Sequence, residues 1–520
     1  MASSHSIART LDTLPDDVLR DIFAFCVSCT DEDPQLRMQS WQTLVQVCKQ
    51  WRETIYASRH FLDLFLCISD EHRVGETIDS WPWPEFPLVL DFYVVEEGSP
   101  NFCAALAHRD RIRRIRIVMV GQDVDWFVEL MEEEFPQLTH LDLTGESRYD
   151  LDHVPSISFG RFLGGSAPSL QYLSIGSFYY EGLPSLLSSA PNLVSLKIRD
   201  IRLSCYMSPE ALVGALAGLT KLRELIVGYS SLIPTDQFRN ARGFQNLHPP
   251  THAVFPALTK LQIEGDNEYM EDLINAIDAP RLEGLHVEYP KPEEDEVIRA
   301  GHLSQFIGRT ESFKHAQFRR ALVALKHHDT SVVLDLPRGE YQRARLSHMI
   351  LYQEDSTVPP VDTVSHVISW LNQLVMILSD VQHLSIEGTG SKDEEKNSVL
   401  ESVDWLPLLC SFSAVEVLHV SGELVKHLAS ALDHTLEEMV AQVLPALQLL
   451  WLDDGRCNKK GKGKPESVDR FLSLRKQSGR PVVVVKSRDE FIERLNLHQL
   501  ELSESPQKIF YGGYEYDDEM

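Results

Sequence analysis

One hydrophobic pattern recurs along most of the chain: an apolar residue, two others, a second apolar residue, one more, then a third apolar residue. It appears as Ile112/Ile115/Ile117, Leu138/Leu141/Leu143, Leu170/Leu173/Ile175, Leu193/Leu196/Ile198 and Leu222/Leu225/Val227. It continues as Leu258/Leu261/Ile263, Leu282/Leu285/Val287, Val381/Leu384/Ile386, Val415/Leu418/Val420 and Leu447/Leu450/Leu452. The last two apolar positions of each copy alternate, so they share one side of a strand, and the leading residue tucks beneath it. Between copies lie helix-like stretches, among them Leu183–Ser189, Pro209–Leu219 and Met270–Ile277. A strand-plus-helix unit repeated every roughly 20–35 residues predicts a stacked array, because one unit cannot bury its apolar face alone.

The pattern resembles that of leucine-rich repeats of irregular length, and the expected fold over 91–498 is a curved, essentially parallel β/α solenoid. An ordinary α/β domain with amphipathic strands is the competing reading; repetition of one offset counts against it. The Asn ladder usual after such strands is missing. The pattern weakens between Leu303 and Ile377, where Ser331–Leu336 and Met349–Tyr352 predict strands and Val364–Leu378 a long helix. Polar stretches at Lys392–Asn397 and Asn458–Pro465 read as loops, Val482–Val485 as a last strand and Asp489–Leu497 as a helix. Residues 1–10 and the acidic, aperiodic 499–520 read as disordered.

The N-terminal part follows a helical period instead. Leu14 and Pro15 open a helix in which Val18, Leu19, Ile22 and Phe23 recur on one face, Pro15 standing where a missing N–H costs nothing. Leu44, Val45, Val47, Cys48 and Trp51 form a second apolar stripe. A segment this short does not bury two such faces by itself, which points to a partner. The runs LPDDVLRDIF and LVQVCKQWRETI resemble an F-box, the helical module that docks on the Skp-type adaptor of cullin–RING ubiquitin ligases. The likeness covers residues 11–67, with Asp31–Met38 longer than the usual join between the helices.

A bridge, 68–90, contains Trp81-Pro82-Trp83-Pro84, a stiff extended connection that fixes the helical module to the rest of the chain. This bridge, with His108-Arg109-Asp110-Arg111, Pro209-Glu210-Ala211-Leu212, Phe255-Pro256-Ala257-Leu258-Thr259 and Ala279-Pro280-Arg281-Leu282, also resembles the large mushroom-type fungal F-box family.

Charge and cysteine usage narrow the function. The 49 basic against 77 acidic residues, a net −28, argue against nucleic acid or an anionic membrane as partner. The eight scattered cysteines show no disulfide framework. No signal peptide or membrane span is legible, so the expectation is an intracellular protein, cytoplasmic or nuclear.

Candidate chemistry is thin. His108-Arg109-Asp110 copies the start of a kinase catalytic loop, but Ile115 stands where the metal-binding Asn belongs. Cys26 and Cys29 have zinc-knuckle spacing without a second pair. Gly455–Gly463 departs from a P-loop in length and ends without Ser or Thr, and His327-His328 point apart on a helix. No catalytic residue, metal ligand or cofactor is assigned.

The resemblance implies a non-catalytic substrate-recognition subunit of an SCF-type ligase. Leu14, Pro15, Val18, Leu19, Ile22, Phe23, Val47, Cys48 and Trp51 are the expected adaptor-binding residues, with the repeats holding an unidentified target protein. The alternative is an interaction scaffold whose N-terminal helices only cap the solenoid.

Overall fold

The computed structural model describes residues 14–28, 34–59, 61–69, 86–93, 99–120, 125–146, 156–202, 205–229, 252–289, 299–314, 318–325, 329–335, 345–351, 368–374, 378–388, 404–422, 424–453, 468–485 and 490. It is a mixed α/β structure whose strands pair mainly in parallel, and no barrel closes among the described residues. The chain divides into two compact units, Met1–Ile233 with Ala241–Gln245, and Pro234–Asn240 with Asn246–Met520.

The first unit opens with helices α1 (Asp16–Ser28), α2 (Pro34–Val47) and α3 (Lys49–Ala57). Strands β1 (Leu66–Ile68) and β2 (Leu88–Phe92), helix α4 (Pro100–Leu106), strand β3 (Ile112–Val120), helix α5 (Asp125–Leu130) and strand β4 (His140–Glu146) follow. Next come β5 (Ser156–Ser158), β6 (Tyr172–Gly176), β7 (Tyr179–Glu181), α6 (Leu183–Ser189), β8 (Ser195–Ile201), α7 (Pro209–Leu216) and β9 (Glu224–Tyr229). The main sheet runs β1-β2-β3-β4-β6-β8-β9, every pair parallel, while β5 and β7 form a small side pair.

Register explains why the repeated pattern folds this way. Ile115, Leu141, Leu173, Leu196 and Leu225 pair in one row, and Ile117, Leu143, Ile175, Ile198 and Val227 in the next. Both rows are buried, as are the leading residues Leu138, Leu170, Leu193 and Leu222. Parallel neighbours need a long crossover, which the intervening segments supply. Side chains preceding one strand bind carbonyls preceding its neighbour: Ser169 Oγ donates to Pro136 O (2.8 Å) and Asn192 Nδ2 to Pro168 O (2.8 Å).

In the second unit the order is β10 (Ala253–Val254), β11 (Lys260–Glu264), α8 (Asn267–Asn275), β12 (Ile277–Asp278), β13 (Gly284–Tyr289), α9 (Gly301–Arg309) and α10 (Glu311–Lys314). It continues β14 (Arg320–Leu325), β15 (Asp329–Asp335), β16 (Arg345–Leu351), β17 (His383–Gly388), α11 (Leu406–Cys410) and β18 (Val417–Ser421). Helix α12 (Leu424–Asp433), β19 (Leu449–Asp453), α13 (Asp469–Gln477) and β20 (Val483–Val485) complete it. Leu384, Leu418, Leu450 and Val484 pair across four strands. Arg309 donates to the carbonyls of Ile274 (3.0 Å) and Ile277 (2.7 Å), and Arg475, fully buried, to that of Leu447 (3.0 Å).

Several expectations change. The array is not parallel throughout: β15 pairs antiparallel with both β14 and β16. Only residues 326–328 join β14 to β15, too few for the dozen or so that a parallel crossover needs. Strands β1 and β14 were not expected, although Phe318, Ala321 and Val323 repeat the offset at β14, where Ala321 and Val323 pair in register with the copy on β17. Helix α2 begins at Pro34, so Pro34–Met38 is helix rather than extended join, with proline at its favoured first position. Of the long helix expected over 364–378, residues 368–373 are helical. The Trp81–Glu85 part of the bridge, both polar loops, the helix expected at Asp489–Leu497 (apart from residue 490) and both termini lie outside the described residues.

Candidate functional site

On α1, neighbouring apolar residues divide between two directions. Leu19 and Phe23 are fully buried and Val27 nearly so, forming an inward row against α2 and α3. Val18 is 39 % exposed, Ile22 40 % and Phe25 71 %, and Pro15 is exposed at the head of the same row. Positions 15, 18, 22 and 25 follow one another at helical steps of three and four, so they line one outward stripe. Leu14 is half-buried where the chain enters the helix. Phe25 was missed from the sequence; extending the Val18–Ile22 row by one step would have found it.

The second apolar stripe is broken in the structure. Cys48 takes extended backbone (φ −156°, ψ 172°) between α2 and α3, and its Sγ accepts the N–H of Trp51 at 3.4 Å. Val47, just before the break, is 58 % exposed. Trp51, half-buried, sets its ring edge-on to Phe23 at 5.0 Å and so belongs to the inside of the module. Of the nine expected adaptor contacts, Leu19 and Phe23 are fully buried within the chain itself. Cys48 and Trp51 have structural duties, and Pro15, Val18, Ile22 and Val47 remain outward.

Helix α2 also grips the sheet. Met38 Sδ accepts the N–H of Cys67 on β1 at 3.1 Å, and Trp41 stands edge-on to Phe86 at 6.0 Å. Arg37 donates to the carbonyl of Leu62 (3.3 Å) and lies 3.7 Å from the Asp63 carboxylate.

A cleft of about 540 Å³ opens along the strand-entry side of the first unit. Asp63, Arg113, Arg114, His140, Gln171 and Asn192 are among its lining residues. Asp63 accepts from Arg113 at 3.0 Å and lies 3.7 Å from Arg114. His140 stacks on Tyr172 with centroids 4.1 Å apart, and its Nδ1 lies 2.8 Å from the Thr139 hydroxyl. Desolvation, then the Arg114 guanidinium, push its pKa down to about 4 against a smaller upward pull from Asp63. The ring is neutral at pH 7.

On the strands of the second unit, His419 Nδ1 lies 3.0 Å from the Ser385 hydroxyl and its ring stacks on Trp451 at 4.1 Å. Desolvation depresses His419 to about 4 and His383 to about 3, the latter helped by Arg320 and His419.

Among the described residues, those weighed for catalysis are not assembled into a site. Arg109–Arg111 form a single helical turn before β3, where Arg111 Nε donates to Phe86 O at 3.0 Å. Cys26 is half-buried on α1; Cys29, His327, His328 and Gly455–Gly463 lie outside the described residues. Among the described residues no group of three or more His, Cys, Asp or Glu could hold a metal ion, and no helix is long and apolar enough to cross a membrane. No protein-family model matches the chain, and no curated protein matches it significantly.

Proposed function

We propose that the chain is the substrate-recognition subunit of an SCF-type E3 ubiquitin ligase: an F-box at 11–67 docks a Skp-type adaptor, and a leucine-rich-repeat solenoid holds a target protein. The carrying observation is the outward stripe Pro15–Val18–Ile22–Phe25, apolar and exposed on a helix whose other apolar row is fully buried. Burial of such aliphatic anchors in a partner contributes about 1.5–3 kcal/mol each. The sequence resemblance over the same residues supplies the identity of that partner. In this reading the chain is intracellular and carries no catalytic group of its own. It works by tethering, which raises the effective concentration of a target lysine near a charged conjugating enzyme.

A second reading, that the helices serve only to cap the repeats, is favoured by the Met38–Cys67 and Trp41–Phe86 contacts, which fasten α2 to the first strands. Copurification of the full chain with a Skp-type adaptor, beside a Val18→Glu/Ile22→Glu variant, separates the two. The ligase reading predicts that the variant stays folded and loses the adaptor. The cap reading predicts the same set of bound proteins for both chains. A truncation starting at residue 88 is a poorer test, because it removes β1 and strips the paired edge of β2 along with the helices.

A further inference from the structure

Two irregularities of the backbone converge on the cleft of the first unit. The pairing of β2 with β3 slips by one residue: Leu88 faces Ile112, but Val89 faces Arg114, so Arg113 is the extra residue of a bulge. Bulges re-aim side chains, and this one lets two consecutive arginines reach one carboxylate, Arg113 at 3.0 Å and Arg114 at 3.7 Å. That carboxylate belongs to Asp63, whose backbone is in the left-handed region (φ 48°), a conformation that costs a non-glycine residue free energy. Both guanidinium groups keep solvent access, 39 % for the Arg113 side chain and 32 % for Arg114. The cleft lining therefore carries two arginines beside one carboxylate, in a chain whose net charge is −28.

We propose that this cleft is a docking groove for an acidic, extended peptide segment of a partner protein, with Arg113 and Arg114 as its carboxylate anchor. Asp63 then acts as a placeholder that holds the two arginines in position and shares them with the incoming carboxylate. At physiological salt the screening length is about 8 Å, so charges of the chain farther than that from the cleft are largely screened there. The lining runs from Val89 on β2 to Asn192 before β8, across β3, β4 and β6. Four interstrand steps of about 4.8 Å make a floor of about 19 Å, the length of about six extended residues. A small anion would use one end of it only. Beyond the arginines, the exposed amides of Gln137 and Gln171 suit peptide N–H and C=O groups, and the neutral His140, braced by Tyr172, makes an uncharged wall. Only the identity of the partner as a ubiquitination target rests on the ligase reading; peptide binding is measured without adaptor, so failure of one leaves the other standing.

The test is fluorescence anisotropy of the full chain with a labelled peptide alternating glutamate and serine, beside the same peptide with glutamine for glutamate. The glutamate peptide binds saturably, and Arg113→Gln with Arg114→Gln weakens it about tenfold or more, the effect of losing charge-assisted hydrogen bonds. Asp63→Asn removes the same ion pairs yet strengthens binding, because the competing carboxylate is gone. A merely structural cluster predicts loss in both variants, so the opposite signs decide. Equal binding of the glutamine peptide, weaker binding by Asp63→Asn, or full competition by millimolar phosphate would overturn the proposal, the last by showing a simple anion site.

Discussion

Leu19 and Ile22 are both aliphatic, three residues apart on α1, yet one is fully buried and the other 40 % exposed. Substitution at the two positions therefore separates folding from docking. Leu19→Ala removes buried methyl groups and leaves a cavity, at a cost of about 2–5 kcal/mol, which urea unfolding reads directly. Val18→Glu with Ile22→Glu changes two side chains that are 39 % and 40 % exposed, and its unfolding free energy stays within about 0.5 kcal/mol per site of the wild type. A large loss there would mean that the outward row is part of the core. The sequence made this row and the inward one look like a single face, because Val18–Leu19 and Ile22–Phe23 are adjacent pairs 100° apart on the helix. Hydrophobicity alone does not say which member of each pair turns inward; the positions of α2 and α3 decide that. The thiol cap at Cys48 was equally hidden, since a half-buried cysteine in an apolar stripe reads as packing.

At the scale of elements, the ten strands marked by the repeated offset all form, and their apolar residues pair in register. That much was legible because each copy states its own strand and its own buried side. The antiparallel β14–β15–β16 insertion was not, since the direction of a strand depends on connection length and no hydrophobic residue encodes it. Nor was the fastening between successive helices. Glu271 on α8 accepts the N–H groups of His302 (2.7 Å) and Leu303 (3.1 Å), which open α9 and have no partner within that helix. Desolvation raises its pKa although those two hydrogen bonds pull it down. Glu271→Ala leaves both N–H groups without this acceptor, and a loss of about 1–3 kcal/mol is expected. Hydrogen exchange that accelerates at the start of α9, ahead of the rest of the second unit, is the signature to look for. Unchanged exchange there would show that the carboxylate does not hold the helix.

For the molecule as a whole, pH reports on the histidines. His383 and His419 fall to about 3 and about 4 when folded, below the usual value near 6.5, so the unfolded chain binds more protons between these limits. Their contribution is full above pH 6.5 and is lost as pH falls toward 4 for His419 and toward 3 for His383. Glu271, raised by burial, works in the opposite sense. Urea midpoints should drop from pH 7 to pH 5, before most carboxylates titrate, and drop less in a His383→Gln/His419→Gln variant, in which the Glu271 contribution cancels from the comparison. Equal slopes for the two chains would remove these histidines from the account.

The function proposed for the molecule concentrates on one apolar stripe of its first helix, and calorimetric titration of a purified Skp-type adaptor into the full chain tests that most directly. Equimolar binding with a negative heat-capacity change, the mark of apolar burial, and its loss in the folded Val18→Glu/Ile22→Glu variant are predicted. No binding by the folded wild-type chain, or the same affinity in the variant, would contradict the account.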